Sequence, residues 1–211
     1  MSIPFQDSET AKNLLRAFAG ESQARNRYDF AANLCQKQEL QAMAFIFQAT
    51  AKQEQAHAKV FWDHLQALNG QNLPIYGAYP IEGTNRILEL LRAAQHNEHE
   101  EHGSVYPSFA AIATQEGFPE AAASFRQIAA IEQLHGERFG LLADQLESGA
   151  LFVSQAKQAE SDAFSLFSYI WCEYDQPRCT SGKSLMSSSS PSFTETTAIC
   201  PGSTSLLVPY W

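Results

Sequence analysis

The fold is decided by a short stretch, QEQAH at residues 53–57, and by its distant counterpart, EQLH at residues 132–135. Each stretch contains a glutamate that is followed three residues later by a histidine. Positions i and i+3 lie on one face of an α-helix, so the carboxylate and the imidazole point the same way. Two such units, with a glutamate from each of two further helices, form the ligand set of a di-metal carboxylate site inside a four-helix bundle.

Composition limits the classes of protein to which this chain can belong. Its 211 residues suffice for one domain with a sizeable core. The net charge of −9 argues against a nucleic-acid partner, because phosphate binding needs clustered lysine and arginine. No apolar run approaches the roughly 20 residues that span a bilayer, and residues 1–7 lack the pattern of a signal peptide. The 4 cysteines have no regular spacing, so we expect a cytoplasmic protein without a disulfide framework and without a membrane partner.

Apolar residues at steps of three and four predict two long helices before residue 70. The first is expected to begin near Ser8, with Asp7 or Ser8 as its cap; the second should follow a turn near Gln38 and end at residues 69–70. The buried stripe of the first helix is predicted to be Leu14, Phe18, Glu21, Arg25, Tyr28, Ala32 and Cys35. The stripe of the second is predicted to be Met43, Phe47, Thr50, Glu54, His57, Phe61, Leu65 and Leu68.

A connector without helical pattern is predicted at residues 71–83, where prolines and glycines alternate. Thr84 is expected to cap the third helix. Pro107 should kink this helix without ending it, because the apolar period continues beyond it. The predicted stripe of the third helix is Ile87, Leu91, Ala94, Glu98, Glu101, Val105, Phe109 and Ile112.

The fourth helix is marked at both ends by helix-breaking residues. Gly117 should end the third helix, Pro119 should open the fourth, and Gly149 should end it. Its predicted stripe is Ala121, Phe125, Ile128, Glu132, His135, Phe139, Leu142 and Leu146. The pattern therefore predicts an all-α fold, a four-helix bundle with one long crossover connection.

A repeated spacing relates the glutamates of the four helices. Glu54 follows Glu21 by 33 residues, and Glu132 follows Glu98 by 34 residues. In an antiparallel pair of long helices this spacing brings a lone glutamate level with each Glu-x-x-His unit. With Glu101, five carboxylates and two imidazoles are expected at one depth.

Such a cluster needs cations. Burying one carboxylate costs on the order of several kcal/mol, and neighbouring carboxylates repel one another. The competing interpretation, that these glutamates face solvent, is disfavoured because each is flanked by apolar residues one turn away. Oxygen and imidazole ligands without thiolate indicate iron or manganese and disfavour a structural zinc site.

Four stretches of the chain resemble the rubrerythrin family. They are AFAGESQARNRY at residues 17–28, EQAHAK at residues 54–59, the segment from Glu98 to Pro107, and EGFPE at residues 116–120. The most telling residue is Glu101, an additional carboxylate one turn after Glu98. The resemblance spans about residues 8–150 and implies a ferritin-like bundle in residues 1–150 that holds two iron ions as a non-haem di-iron centre.

The resemblance also implies roles for the site residues. Glu54 and Glu132 would bridge the two irons; the terminal ligands would be Glu21, Glu98, Glu101, His57 and His135. One iron would exchange His57 for Glu101 as its oxidation state changes. Tyr28 and Tyr106 are either ordinary core aromatics or hydrogen-bond partners of the ligand glutamates.

The activity that the resemblance implies is peroxidase activity in oxidative-stress defence, in which hydrogen peroxide is reduced to water. Electrons would come from a rubredoxin or an NAD(P)H-linked flavin reductase, and the protein would be a homodimer or homotetramer. The alternative is ferritin-like iron oxidation and storage in a 24-subunit shell. Ferritins and bacterioferritins share the architecture, but their sequences resemble this chain less.

The tail at residues 151–211 departs from the family pattern. Many rubrerythrins carry a C-terminal rubredoxin-like module with two Cys-x-x-Cys pairs, whereas Cys172, Cys179 and Cys200 form no such pair. We therefore expect no rubredoxin-type Fe(Cys)4 site. The tail is a degenerate module, the product of a shifted reading frame, or a segment with an unrelated binding role. Little stable structure is expected after about residue 155, apart from a short helix at residues 161–171.

Overall fold

The computed structural model describes residues 3–153, and these residues form a bundle of long helices. The helices are α1 (Glu9–Lys37), α2 (Gln41–His64), α3 (Ile87–Glu100), α4 (Tyr106–Glu116), α5 (Pro119–Ser148) and a short α6 (Ala150–Val153). A π-helical segment, Glu101–Val105, joins α3 to α4 into one helical stretch. No strand occurs in the described residues, which confirms the all-α prediction. The expectations for residues 154–211 lie outside the described part of the chain. None of the helices that the structure describes is long and apolar enough to cross a membrane.

The ends of α1 and α5 follow the predicted signals. Ser8 caps α1, since its Oγ accepts a hydrogen bond of 3.0 Å from the backbone N–H of Ala11. Gly117 ends α4 at φ 85° and Gly149 ends α5 at φ 74°, backbone angles that only glycine adopts without strain. Pro119 is the first residue of α5, where its missing N–H has no helical partner to lose.

The prediction that Thr84 caps α3 is wrong. The connector extends to Arg86, and α3 begins at Ile87. Thr84 Oγ1 accepts a hydrogen bond of 3.2 Å from the backbone N–H of Arg86 and donates one of 2.6 Å to Glu89. Thr84 therefore stabilises a turn before the helix, because its side chain bonds the N–H two residues ahead.

The stripe predicted after Glu98 is wrong by one position. The predicted residues Val105, Phe109 and Ile112 are half-buried, whereas the buried residues are Tyr106, Ala110 and Ala113. The cause is the π-helical segment, in which the N–H of Tyr106 donates to the oxygen of Glu101, five residues back. A π turn takes up one residue more than an α turn, so the buried face advances by one residue. Pro107 follows directly, in the first turn of α4.

Two aromatic layers close the middle of the bundle from both ends. Tyr28, Phe47 and Phe139 form one layer, with ring centroids 5.1–5.9 Å apart. Phe61, Tyr106 and Phe125 form the other, at 5.1–6.0 Å. All six rings are buried. The stripes of α2 and α5 that contribute four of these rings are buried as predicted except at their last residues, Leu68 and Leu146, which are half-buried. The stripe of α1 departs from prediction at Phe18, which is half-buried, and at Arg25, which is exposed.

One end of the bundle is tied by Glu116, in the last turn of α4. Its carboxylate accepts hydrogen bonds from the backbone N–H groups of Glu9 (3.0 Å) and Thr10 (2.8 Å), and from Thr10 Oγ1 (2.5 Å). A carboxylate at a helix N-terminus satisfies N–H groups that have no partner within the helix. Glu116 therefore joins the second helical hairpin to the start of the first.

We expect Glu116→Ala to lower the free energy of unfolding of the metal-free protein by about 1–2 kcal/mol, because two first-turn N–H groups lose their acceptor. Glu137→Ala, at an exposed position of α5, is the matched control and should change it by less than about 0.5 kcal/mol. Urea unfolding followed by circular dichroism measures both. A Glu116→Ala protein with the wild-type midpoint would contradict the role assigned to this carboxylate.

Candidate metal centre

Two groups of acidic and imidazole side chains lie at the middle of the bundle, between the aromatic layers. One group is Glu21, Glu54, His57 and Glu132, and the other is Glu54, Glu98, Glu132 and His135. Within each group the potential ligand atoms all lie within 4.8 Å of one another. All of these side chains are buried, with exposed fractions of 5% or less. Glu54 and Glu132 belong to both groups.

The helices supply these residues as the spacing predicts. α1 and α3 each contribute one glutamate, and α2 and α5 each contribute a Glu-x-x-His unit, whose two side chains share a helix face. The structure thus brings together six of the seven predicted ligands. The seventh, Glu101, lies outside both groups.

The two histidines face the same pair of glutamates. His57 Nδ1 lies 2.8 Å from Glu132 Oε1 and 3.2 Å from Glu54 Oε2. His135 Nδ1 lies 2.8 Å from Glu132 Oε2 and 3.1 Å from Glu54 Oε1. Each of these carboxylates therefore presents one oxygen to each imidazole, which is the arrangement that a carboxylate bridging two cations requires.

The other two glutamates, Glu21 and Glu98, each lie near one histidine. Glu21 Oε2 lies 3.7 Å from His57 Nδ1, and Glu98 Oε2 lies 3.9 Å from His135 Nδ1. The imidazole rings are stacked, with centroids 5.7 Å apart and planes inclined by 21°. The centre is therefore approximately symmetric: two shared carboxylates in the middle, and one histidine and one unshared glutamate at each end.

Several potential ligand atoms of this centre form no hydrogen bond of suitable geometry, although some of them lie close to one another. They are Glu21 Oε2, Glu54 Oε1, both carboxylate oxygens of Glu132, and His135 Nδ1. Leaving one buried polar atom unsatisfied costs about 1–3 kcal/mol, so such atoms rarely converge on one point without a ligand. Carboxylate oxygens and imidazole nitrogens are suitable ligands for iron or manganese. The residues present therefore fit a centre of metal cations.

Without metal, protons must take over part of the neutralisation. Burial, together with the charges of Glu132 and Glu54, raises the pKa of the Glu21 and Glu98 carboxyls well above the usual value. Burial also disfavours the charged imidazole of His135, but Glu54 and Glu132 outweigh this and raise its pKa to about 9. Burial alone would raise the pKa of the Glu54 carboxyl, but the two histidines hold this pKa below its usual range.

Two buried tyrosines hold the unshared glutamates from the opposite hairpin. The Tyr28 hydroxyl of α1 donates to Glu98 Oε1, and the Tyr106 hydroxyl of α4 donates to Glu21 Oε1. Burial and the nearby carboxylates raise the pKa of both phenols, so they stay protonated and act as donors. In each glutamate one oxygen is thus occupied, and the second faces the histidine.

Gln53 is a contributor that the sequence pattern does not reveal. Its Oε1 lies 3.1 Å from His135 Nε2 and 3.4 Å from an Arg138 guanidinium nitrogen. An amide oxygen can only accept, so it selects the tautomer that carries the proton on Nε2 and leaves Nδ1 free to bind a cation. Gln53 sits directly before Glu54, but only the packing of α2 against α5 shows which histidine it contacts.

Glu101 is the first residue of the π-helical segment and is half-buried. Burial and the charges of Glu132 and Glu54 raise the pKa of its carboxyl well above the usual value. The charges of the centre therefore act on the Glu101 carboxyl, although Glu101 belongs to neither ligand group.

The fold and the centre together define a class: helical-bundle proteins with a buried carboxylate–histidine metal site. The rubrerythrin family model matches residues 12–143 of this chain. The rubrerythrin of Clostridium perfringens is 43% identical over 146 residues, which is 69% of this chain and 75% of the relative. The rubrerythrin of Porphyromonas gingivalis is 43% identical over 152 residues, 72% of this chain and 74% of the relative. This chain belongs to the rubrerythrin family.

Solved structures agree with this assignment. Nigerythrin in a fully reduced, all-ferrous state superposes with a TM-score of 0.58 at 26% identity, over 67% of this chain and 71% of that one. Symerythrin from Cyanophora paradoxa shares the fold alone, with a TM-score of 0.55 at 17% identity over 69% and 88% of the two chains. Family membership and the buried carboxylate–histidine centre support an iron-binding oxidoreductase of oxidative-stress defence.

We expect the metal-free protein to lose stability as the pH rises from about 6.5 to about 9. The pKa of His135 is higher in the folded chain than in the unfolded chain, so its stabilising effect is complete below 6.5 and is lost as the pH passes through about 9. The raised pKa values of Glu21 and Glu98 act in the same direction. Thermal unfolding with a chelator present should show a falling midpoint across this interval.

The iron-loaded protein is the control for this pH series. Metal binding requires the deprotonated imidazole, so a rising pH should leave its midpoint unchanged or raise it. Parallel pH dependence with and without iron would contradict the assignment of His135 to the centre.

Gln53→Ala should weaken metal binding about 10- to 100-fold, because His135 loses the acceptor that fixes its tautomer. Gln55→Ala, two residues along the same helix and exposed, is the matched control and should bind like the wild type. Competition between the protein and a chromophoric chelator for Co²⁺ measures the affinity. Equal affinities of the two variants would remove Gln53 from the centre.

Proposed function

We propose that this chain is a non-haem di-iron peroxidase that reduces hydrogen peroxide to water. The observation that carries the proposal is the pair of ligand groups that share Glu54 and Glu132. One iron ion would be held in each group, and the two shared carboxylates would bridge the ions. The unshared ligands would be Glu21 and His57 at one end, and Glu98 and His135 at the other.

Reduction of one hydrogen peroxide molecule to two water molecules breaks the O–O bond and consumes two electrons and two protons. When bound, two ferrous ions would supply the two electrons. The chain's own residues hold the geometry: Tyr28 and Tyr106 restrain the unshared glutamates, and Gln53 restrains His135. The aromatic layers exclude bulk water, so the charges of the centre interact more strongly than they would in water.

Glu101 is proposed to take the place of His57 when the centre is oxidised. A ferric ion prefers an additional anionic oxygen to a neutral nitrogen. Burial raises the pKa of the Glu101 carboxyl, and the charges of Glu132 and Glu54 raise it further, which supports a position near the shared carboxylates.

Electrons are proposed to reach the centre from a separate cytoplasmic carrier, either a rubredoxin or a flavin reductase. The chain contains no Cys-x-x-Cys pair, and we propose that it holds no rubredoxin-type iron of its own. We further propose that residues 1–150 are the catalytic bundle, that residues 151–211 stand in place of a rubredoxin-like module, and that the protein is a homodimer or homotetramer.

Stopped-flow mixing of the Fe(II)-loaded protein with hydrogen peroxide or with dioxygen tests the proposal. Peroxide should oxidise the centre faster than dioxygen does, and Glu132→Ala should slow the peroxide reaction by at least about 100-fold, because both ligand groups lose a shared carboxylate. Glu137→Ala, an exposed glutamate of the same helix, should react like the wild type.

The same preparation separates the peroxidase from an iron-storage protein. A faster reaction with dioxygen, together with a 24-subunit mass in solution, would replace the peroxidase assignment by iron oxidation and storage.

A further inference from the structure

A cavity of about 320 Å³ lies between α1, the connector and the π-helical segment. Its walls include Gly20 of α1, Tyr79 of the connector, Glu101 of the π-helical segment and Tyr106 of α4. Tyr106 is the residue whose hydroxyl donates to Glu21. The cavity therefore reaches from the surface connector to side chains that contact the metal centre or lie beside it.

Glu101 is the predicted ligand that lines this cavity. The six residues of the two ligand groups are buried, whereas Glu101 is half-buried and lines the cavity. A small molecule in the cavity would meet the Glu101 carboxyl before it met any other predicted ligand.

The connector holds Tyr79 in a defined position, although this segment contains no helix. The Tyr79 hydroxyl donates a hydrogen bond of 3.0 Å to the backbone oxygen of Arg16. Arg16 Nε in turn donates one of 2.9 Å to the backbone oxygen of Tyr76. The aromatic ring lies over Gly20, where an added Cβ would be 3.5 Å from Tyr79 Cε1. One residue further along α1 is Glu21.

Beyond Tyr79 the connector is anchored a second time. Glu82 forms an ion pair of 3.0 Å with Arg27 of α1, and both side chains are less than 15% exposed. The same carboxylate accepts a hydrogen bond of 2.8 Å from Asn97 Nδ2 of α3. Gln23 Nε2 also donates one of 2.6 Å to the backbone oxygen of Pro80. Tyr79 is therefore framed by fixed contacts on both sides, and 37% of its surface is exposed to solvent.

We propose that this cavity is the route by which the oxidant reaches the Glu101 side of the metal centre, and that the Tyr79 ring is the wall that limits what passes. The proposal rests on the function proposed above, which requires an oxidant to enter a centre enclosed by aromatic layers. The bound molecule would be small and uncharged, since the cavity wall carries charges of both signs, from Arg16, Glu100 and Glu101. Hydrogen peroxide has these properties, and a bulky organic hydroperoxide would collide with the ring.

Azide binding to the oxidised, iron-loaded full-length protein tests the route without turnover. The complex of azide with ferric iron absorbs visible light, so stopped-flow absorbance gives the association rate of azide. Tyr79→Ala should raise this rate about tenfold and Tyr79→Trp should lower it about tenfold, because the wall opens in one and narrows in the other. The charged residues of the wall are the same in all variants, so the ratio of their azide association rates isolates the effect of the ring.

Tyr76→Ala is the matched control. It removes a tyrosine ring from the same connector, but that ring is 86% exposed and only the backbone oxygen of Tyr76 contacts Arg16. This variant should bind azide at the wild-type rate. Iron content and circular dichroism establish that each variant is folded and loaded, and if Tyr79→Ala fails to fold, the Tyr79→Trp variant decides.

A second measurement compares oxidation of the ferrous protein by tert-butyl hydroperoxide and by hydrogen peroxide. Tyr79→Ala should raise the relative rate of the bulky peroxide about tenfold. Azide rates that are equal in the wild type and both Tyr79 variants would overturn the route even if the protein is an active peroxidase, and so would an equal change in Tyr76→Ala. Azide rates that depend on Tyr79 in a protein that ignores peroxide would support the route and overturn the peroxidase assignment.

Discussion

Four carboxylates and two imidazoles are buried together in the middle of this bundle, and the surrounding protein supplies too few hydrogen bonds to satisfy them. The hydroxyls of Tyr28 and Tyr106 and the amide of Gln53 satisfy one atom each. The atoms that remain converge on the space between His57 and His135. In a water-excluded interior this arrangement is stable only when positive charge is added, as protons or as metal cations. The stability of the bundle and its chemistry therefore depend on the same charges.

The two helical hairpins contribute equivalent sets of residues to the centre. Each hairpin contributes one lone glutamate and one Glu-x-x-His unit, and each lone glutamate is held by a tyrosine from the other hairpin. Because the shared carboxylates of Glu54 and Glu132 come from different hairpins, neither hairpin contains a complete ligand group. Formation of the centre thus requires the hairpins to associate, and the Glu116 carboxylate joins them again at one end of the bundle.

The regular helical spacing of buried residues is interrupted on the side of the bundle where a cavity opens toward solvent. The π-helical segment begins at Glu101, the one predicted ligand that stands outside the ligand groups, and the cavity beneath the connector reaches the same residue. A π turn weakens the local hydrogen-bond ladder and turns the following residues to a new face. The symmetry of the centre is therefore broken on one side, by an additional carboxylate in an irregular stretch of helix that lines a cavity.

Spacing along individual helices was sufficient to predict the all-α bundle, the stripes of α2 and α5, and the six residues that meet in the centre. That success has a local cause, since residues three and four apart share a helix face whatever the rest of the chain does. Three details were mispredicted: the Thr84 cap, the exposed Arg25 and the buried face after Glu98. A shift of one or two residues hardly changes how well a sequence fits the helical pattern, but it changes which side chain packs in the core. The partner of Gln53, the crossed bonds of the tyrosines and the position of Tyr79 over Gly20 follow only from packing between distant segments. These contacts join residues that are 50 or more positions apart in the sequence. Local helix propensity does not determine which of such distant residues come into contact.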